Sequence, residues 1–416
     1  MTPQTVLAQS LALPNGIVIK NRLAKSAMSE ALASRDSSPT DALAELYGQW
    51  ARGGVGLCIT GNVMIDRRAL GEPGNVVVES ERDLAALRRW AQSGTQGGTQ
   101  LWMQLNHPGK QAPKGLNREN VAPSAVPFRP ELAAFFPVPR ELTEPEILDL
   151  IQRFGRAAAV AKQAGFSGVQ IHGAHGYLVS QFLSPHHNRR TDRWGGSAEN
   201  RRRFVLEVLA EIRRQVGPAF PVGIKLNSAD FQRGGFTEDE SLDTVRALAA
   251  AGIDLIEISG GTYEAPAMTG IKQQPAKDST RRREAYFLDF AEKARAAVQV
   301  PLMLTGGFRS LEGMAGAIES GAIDLVGMAR SLALEPDVPN KLLRGEQPRQ
   351  VVRPIKTGIG AIDRTGMLEV SWYTRQLKRI ANGEPPRPRE SGLKVFLINA
   401  WKMAAAGRRQ PKRLRA

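Results

Sequence analysis

Two of the chain's five histidines, His172 and His175, stand three residues apart, with Tyr177 two residues further on. Imidazole and phenol at that spacing suit three kinds of chemistry. Metal ligation would want carboxylate or cysteine partners, and no acidic residue lies near in sequence, so no metal site is expected. Recognition of an uncharged oxygen fits the trio better. Two imidazole N–H groups can polarise a carbonyl or nitro group while the phenol delivers a proton. A structural pair packed into the core is the third reading, and spacing alone leaves it open. Lys225 lies in an apolar run and is equally explained by a core ion pair. The single cysteine, Cys58, sits inside Val55-Gly56-Leu57-Cys58-Ile59, which suits a buried thiol rather than a nucleophile. One cysteine also excludes an internal disulfide framework or a thiolate metal cluster.

The elements that must position these groups are legible as a repeat. Short apolar runs recur at 23–28, 55–60, 101–105, 168–172, 222–226, 254–258, 301–305 and 324–328. Such runs suit strands buried on both faces of a parallel sheet. Helix signals separate them. Thr143-Glu144-Pro145-Glu146 is a capping box with proline in the first turn, followed by Ile147, Leu150, Ile151, Phe154 and Ala158 on one face. Thr237 to Glu240 opens another helix; Gly165, Gly252 and Gly321 close three of them. Eight βα units predict an α/β fold, the (β/α)8 TIM barrel, over residues 1–340. A helical, basic C-terminal extension, 341–416, follows. Two long connections, 106–142 and 260–284, have the composition of site-forming loops.

In such a barrel the site lies at the C-terminal strand ends. Those positions hold Ser26, Ala27, Met28 and Ser29 on strand one, Asn62 after strand two and Gln104 on strand three. His172, His175 and Tyr177 follow strand four, and Lys225 lies on strand five. Gly306 and Gly307 follow strand seven; Ala329 and Arg330 follow strand eight. Small residues there let backbone N–H groups approach a phosphate, with Arg330 to pair with it.

The segment Ile171-His172-Gly173-Ala174-His175-Gly176-Tyr177-Leu178, with Gln181 to Pro185, Asn188 to Ser197 and Glu199-Asn200-Arg201, closely resembles the signature of the Old Yellow Enzyme family. The likeness runs from Lys20-Asn21-Arg22 to about Asp337. It implies an FMN-dependent ene-reductase that takes hydride from NADH or NADPH. By that resemblance Ser26, Ala27 and Met28 contact the flavin through backbone, Ser29 lies beside O4, and Gln104 bonds the pyrimidine edge. Lys225 stands where an arginine is usual and stabilises charge on N1–C2=O. Gly306, Gly307, Ala329 and Arg330 hold the phosphate. His172 and His175 bind the substrate oxygen, and Tyr177 protonates the α-carbon. The family's place at Asn62 is usually glycine or alanine. Ser29 replaces a potential-tuning cysteine found in one branch, and Ala31 replaces a frequent aromatic residue, which implies a wider cavity. Arg189 and Trp194 read as structural. A dehydrogenase or quinone reductase on the same barrel is the neighbouring expectation, and a tethered flavin-binding protein of little turnover is the rival from another class.

The net charge of +15 is placed unevenly: of 56 basic and 41 acidic residues, 16 and 4 lie in 349–416. A near-neutral body with a basic tail does not suit a nucleic-acid binder. The tail's readings are a solvated end, an amphipathic helix (Leu393, Phe396, Leu397, Ala400, Trp401, Ala404) docking on the barrel or on a second copy, or a peripheral contact with a membrane surface. The N-terminus lacks the layout of a signal peptide, so a cytoplasmic protein acting on a small molecule is expected.

Overall fold

A computed structural model of the chain describes residues 1–262, 264, 287–349, 352–359, 363 and 367–398. Each expected apolar run contains a strand: β1 (Leu23–Lys25), β2 (Leu57–Ile59), β3 (Gln100–Asn106), β4 (Gly168–Gly173), β5 (Val222–Asn227), β6 (Leu255–Ser259), β7 (Leu302–Thr305) and β8 (Leu325–Met328). All neighbours pair in parallel, and β4 pairs with both β3 and β5, so the sheet closes on itself. This is the (β/α)8 barrel. Strand one is shorter than its apolar run. Ser26 N still bonds Met328 O at 2.8 Å, but the chain then leaves the ladder.

The longer helices among the described residues are α1 (Asp41–Arg52), α2 (Leu84–Gly94), α3 (Glu144–Ala164), α4 (Ala198–Val216), α5 (Glu238–Ala250), α6 (Leu288–Ala297), α7 (Leu311–Glu319) and α8 (Met367–Ala381). Their ends follow from side-chain chemistry. Capping boxes at Thr143 and Thr237 satisfy first-turn N–H groups of α3 and α5, and Ser310 caps α7. Gly165 ends α3 in a left-handed conformation. The faces these helices bury form one large apolar cluster around the barrel, with Phe154, Phe182 and Phe204 among its members.

Alternation along the strands sorts side chains to the two faces of the barrel wall. Ala24, Leu57, Ile59, Trp102, Leu255, Met303 and Leu325 form a second cluster, closed by Leu11, Leu13 and Ile19 of the hairpin pairing Leu11–Ala12 with Val18–Ile19. Gly168 and Gly223 make room for Trp102, since an added Cβ would come within 2.5 and 2.8 Å of its ring. One step further along the strands the residues turn polar: Ser26, Gln104, Gln170, Lys225, Glu257 and Thr305. That change from oil to hydrogen bonds marks the end of the barrel where chemistry is possible.

The expected helix in the C-terminal extension is α8. It packs on α1 and buries Leu368, Trp372, Tyr373, Leu377 and Ile380 in the barrel's own apolar cluster. Residues 392–398 are helical, with Val395 buried and Phe396 packed on the core. Leu393 and Leu397 face outward instead of sharing Phe396's face. Ala400, Trp401, Ala404 and the terminal basic run lie outside the described residues, as does most of the 260–284 connection. Among the described residues, no helix is long and apolar enough to cross a membrane.

Candidate active site

A cavity of about 330 Å³ opens at the C-terminal end of the barrel. Its walls gather the residues singled out in the sequence. Ala27, Met28 and Ser29 come from the segment after β1, Asn62 from beyond β2, and Gln104 from β3. His172, His175 and Tyr177 come from the end of β4 and the turn beyond it, and Lys225 from β5. Gly306 and Gly307 follow β7, and Ala329 and Arg330 follow β8. Ser26 alone is set behind the wall, fully buried, its hydroxyl 2.6 Å from Thr305 Oγ1. Ala31 does not line this cavity. Its backbone adopts a positive φ of 49° beside Gly74.

The two histidines are held differently. His172 Nδ1 accepts the Ala174 N–H at 3.3 Å, so the ring proton belongs on Nε2. His175 has a φ of 61°, its N–H donates to Asn227 Oδ1 at 3.1 Å, and its Nε2 lies 2.8 Å from Ser259 Oγ. Burial pushes His172 well below its usual pKa, helped by His175 and the Lys225 ammonium. Burial, then Lys225, brings His175 down to about 3. Both imidazoles are therefore neutral at pH 7, and they act as dipoles rather than cations. Tyr177 packs edge-on against His172, ring centroids 4.7 Å apart. Asn62 Nδ2 donates toward the Tyr177 hydroxyl at 3.5 Å, which gives that residue a place beside the proposed acid.

Beneath them lies the polar layer. Lys225 Nζ is 3.0 Å from Glu257 Oε1, both buried, and Thr305 Oγ1 donates to the same oxygen at 2.6 Å. Gln104 Nε2 donates to Gln170 Oε1 at 2.7 Å, and Gln104 Oε1 is buried without a partner. An orphaned acceptor beside an ammonium at a cavity wall fits the N–H and C=O edge of a flavin pyrimidine. At the other side, Gly306 and Gly307 have φ of 120° and 99°, which L side chains rarely adopt. Gly327 is also required, because an added Cβ would lie 2.0 Å from Thr305 Oγ1. The glycine pair, Ala329 and Arg330 fit a phosphate. The residues present thus fit FMN.

Several contributors were invisible in sequence. Gln170 and Glu257 are polar residues inside apolar strands, and only the strand period could have marked them as inward. From α8, Tyr373 and Leu377 complete the wall; Thr374 Oγ1 donates to Ser29 O at 2.9 Å, and Glu369 lies 3.3 Å from Arg330 Nη1. Glu72 also reaches the cavity, its carboxyl raised to about 7 chiefly by burial. The signature segment is mostly scaffold. Asn188 Nδ2 donates to the Phe182 and Trp194 carbonyls, both at 2.8 Å, and Trp194 is fully buried with its indole N–H toward Glu144. Arg189 N donates to Ser124 Oγ at 3.0 Å. Among the described residues, His186, His187 and Glu264 cluster within reach of a common point, but Lys110 Nζ lies 3.4 Å from the Glu264 carboxylate and already supplies its counter-charge.

Residues 11–348 match the family model described as the NADH:flavin oxidoreductase / NADH oxidase family. The NADH-dependent flavin oxidoreductase iliE of Hypocrea jecorina is 39% identical over 355 residues, covering 80% of this chain and 88% of that protein. Among solved structures, a 2-naphthoyl-CoA reductase complex superposes with a TM-score of 0.75 at 28% identity over 82% of this chain, which spans about half (53%) of that protein. Morphinone reductase in complex with tetrahydroNAD superposes with a TM-score of 0.69 at 25% identity, covering 84% and 92% of the two chains.

Proposed function

The chain belongs to the NADH:flavin oxidoreductase / NADH oxidase family, that of Old Yellow Enzyme, and from this we propose that it is an ene-reductase acting on α,β-unsaturated carbonyl or nitro compounds. The observation that carries the reading is the convergence of His172, His175 and Tyr177 above a buried Lys225 and an unpartnered Gln104 acceptor. The chemistry that bound FMN would supply is hydride transfer from NADH or NADPH to the β-carbon of the acceptor.

The chain's own residues do the rest. Ala27, Met28 and Ser29 would line one edge of the ring site, with Ser26 buried behind them, and Gln104 and Lys225 would meet the pyrimidine side. Gly306, Gly307, Ala329 and Arg330 hold the phosphate. Neutral His172 and His175 donate hydrogen bonds to the carbonyl or nitro oxygen. That polarises the double bond without placing two cations side by side in a buried site. Tyr177 delivers the proton to the α-carbon, with Asn62 steering its hydroxyl. Residues 1–340 carry this chemistry, and α8 of the extension closes one wall.

Labelling tests the assignment of hydrogens. With deuterium at C4 of NADH and 2-cyclohexenone as acceptor, NMR of the product places the cofactor's deuterium on the β-carbon. In D2O with ordinary NADH, the label goes to the α-carbon. Consumption of NADH by quinones with no turnover of enones would move the assignment to quinone reduction.

A further inference from the structure

Glu257 has no assigned part in the reaction, yet three donors converge on it. Lys225 Nζ and Thr305 Oγ1 reach Oε1 at 3.0 and 2.6 Å, and Gln170 Nε2 reaches Oε2 at 2.7 Å. Glu257, Gln170 and Gln104 are all fully buried. A carboxylate paired with an ammonium has only lone pairs to offer, so Gln170 must turn its NH2 group toward it. The Gln170 carbonyl oxygen then faces Gln104 and takes its Nε2–H at 2.7 Å. Two amides, each free to flip in isolation, are thereby given one polarity by the anion at the end of the row. Gln104 is left with Oε1 as its unpartnered atom.

Resting on the FMN reading above, we propose that Glu257 is a positioning residue for the cofactor. Through Gln170 it fixes Gln104 as an acceptor for the flavin N3–H, and through Lys225 it sets the flavin's reduction potential. The first effect is geometric. A reversed Gln104 would point an N–H at an N–H and lose a buried hydrogen bond on both sides. The second is electrostatic. Lys225 favours the negative charge that develops on N1–C2=O upon reduction, and Glu257 offsets part of that field in a low-dielectric layer. With the carboxylate gone, the ammonium acts on the flavin uncompensated, and reduction becomes easier.

The two effects separate by substitution. In Glu257→Gln the new amide can donate to Gln170, reversing the row. FMN affinity, read by fluorescence on titrating apoprotein, falls at least tenfold. The potential, read against a reference dye, moves positive by about 30 mV or more, a tenfold gain in the reduction equilibrium for a two-electron couple. Gln170→Leu keeps the Lys225–Glu257 pair and breaks only the row. Its FMN affinity falls at least tenfold while its potential stays at the wild-type value. A packing defect would weaken all flavins alike. The proposal instead expects the wild type to prefer FMN over 3-methyl-FMN, and Gln170→Leu to lose that preference. If Glu257→Gln does not fold, Gln170→Leu decides alone. An unmoved or lowered potential in Glu257→Gln, or wild-type flavin discrimination in Gln170→Leu, overturns the proposal. Failure of the unaltered chain to bind FMN would strike the functional reading itself.

Discussion

In the proposed reaction, single residues divide the labour most sharply at Tyr177 and the two histidines. Tyr177→Phe keeps the ring packed on His172 and removes only the hydroxyl. Bleaching of the flavin by NADH should then be unchanged, while reoxidation by 2-cyclohexenone slows about 10²- to 10⁴-fold, the usual contribution of a general acid, in stopped-flow absorbance. The imidazoles give a pH prediction. Burial holds His172 well below its usual pKa and His175 near 3, so neither takes up its proton near the ordinary histidine value of 6.5. The profile of kcat/KM for the enone should show no step near 6.5, and a step there assigned to either histidine would contradict neutral donors. These three residues were legible because they form a dense, ordered motif. Glu257 and Gln170 were not, because a polar residue in a buried strand declares its role only once its neighbours across the sheet are known.

Elements matter here as walls and as constraints on approach. β8 passes so close to β7 that Gly327 admits no Cβ. Gly327→Ala should cost about 1–3 kcal/mol in denaturant unfolding and weaken FMN retention, since relief requires moving Thr305 away from Glu257. The other element-scale test concerns α8. Trp372 is 1% exposed within the barrel's apolar cluster, which locks this helix against the barrel, and its indole N–H donates at 3.1 Å to Glu390 O in the segment that follows the helix. Trp372→Ala should lose about 3–5 kcal/mol and loosen the wall formed by Tyr373 and Leu377, which calorimetry and FMN titration together would register. The helix itself was readable from its apolar spacing, and so were the eight strands and the capping boxes. Its place beside the cavity was not. Sequence spacing reports which face of a helix is apolar, never which distant element will receive it.

At the scale of the whole molecule, burial of titratable groups ties stability to pH. His107 is 3% exposed and burial lowers its pKa to about 4, against 6.5 for an ordinary histidine. The unfolded chain therefore takes up a proton on this residue below pH 6.5 while the folded chain does not, and stability falls as pH falls. Between pH 7 and 5 the loss from this group is about 2 kcal/mol. Urea unfolding of His107→Gln should accordingly show a shallower decline than the wild type over that range, and parallel curves would contradict it. The same global view explains why the net charge was a poor guide to function. Most of it sits in 349–416, while the barrel that carries the site is nearly neutral.

The most direct test of flavin-mediated ene reduction is anaerobic. The protein is purified or reconstituted with FMN, its visible spectrum is recorded, NADH or NADPH is added, and 2-cyclohexenone follows. The account predicts an oxidised flavin band that bleaches with the nicotinamide and returns in full with the enone. A chain that takes up no FMN under any reconstitution, or a bleached flavin that the enone leaves untouched, would contradict it.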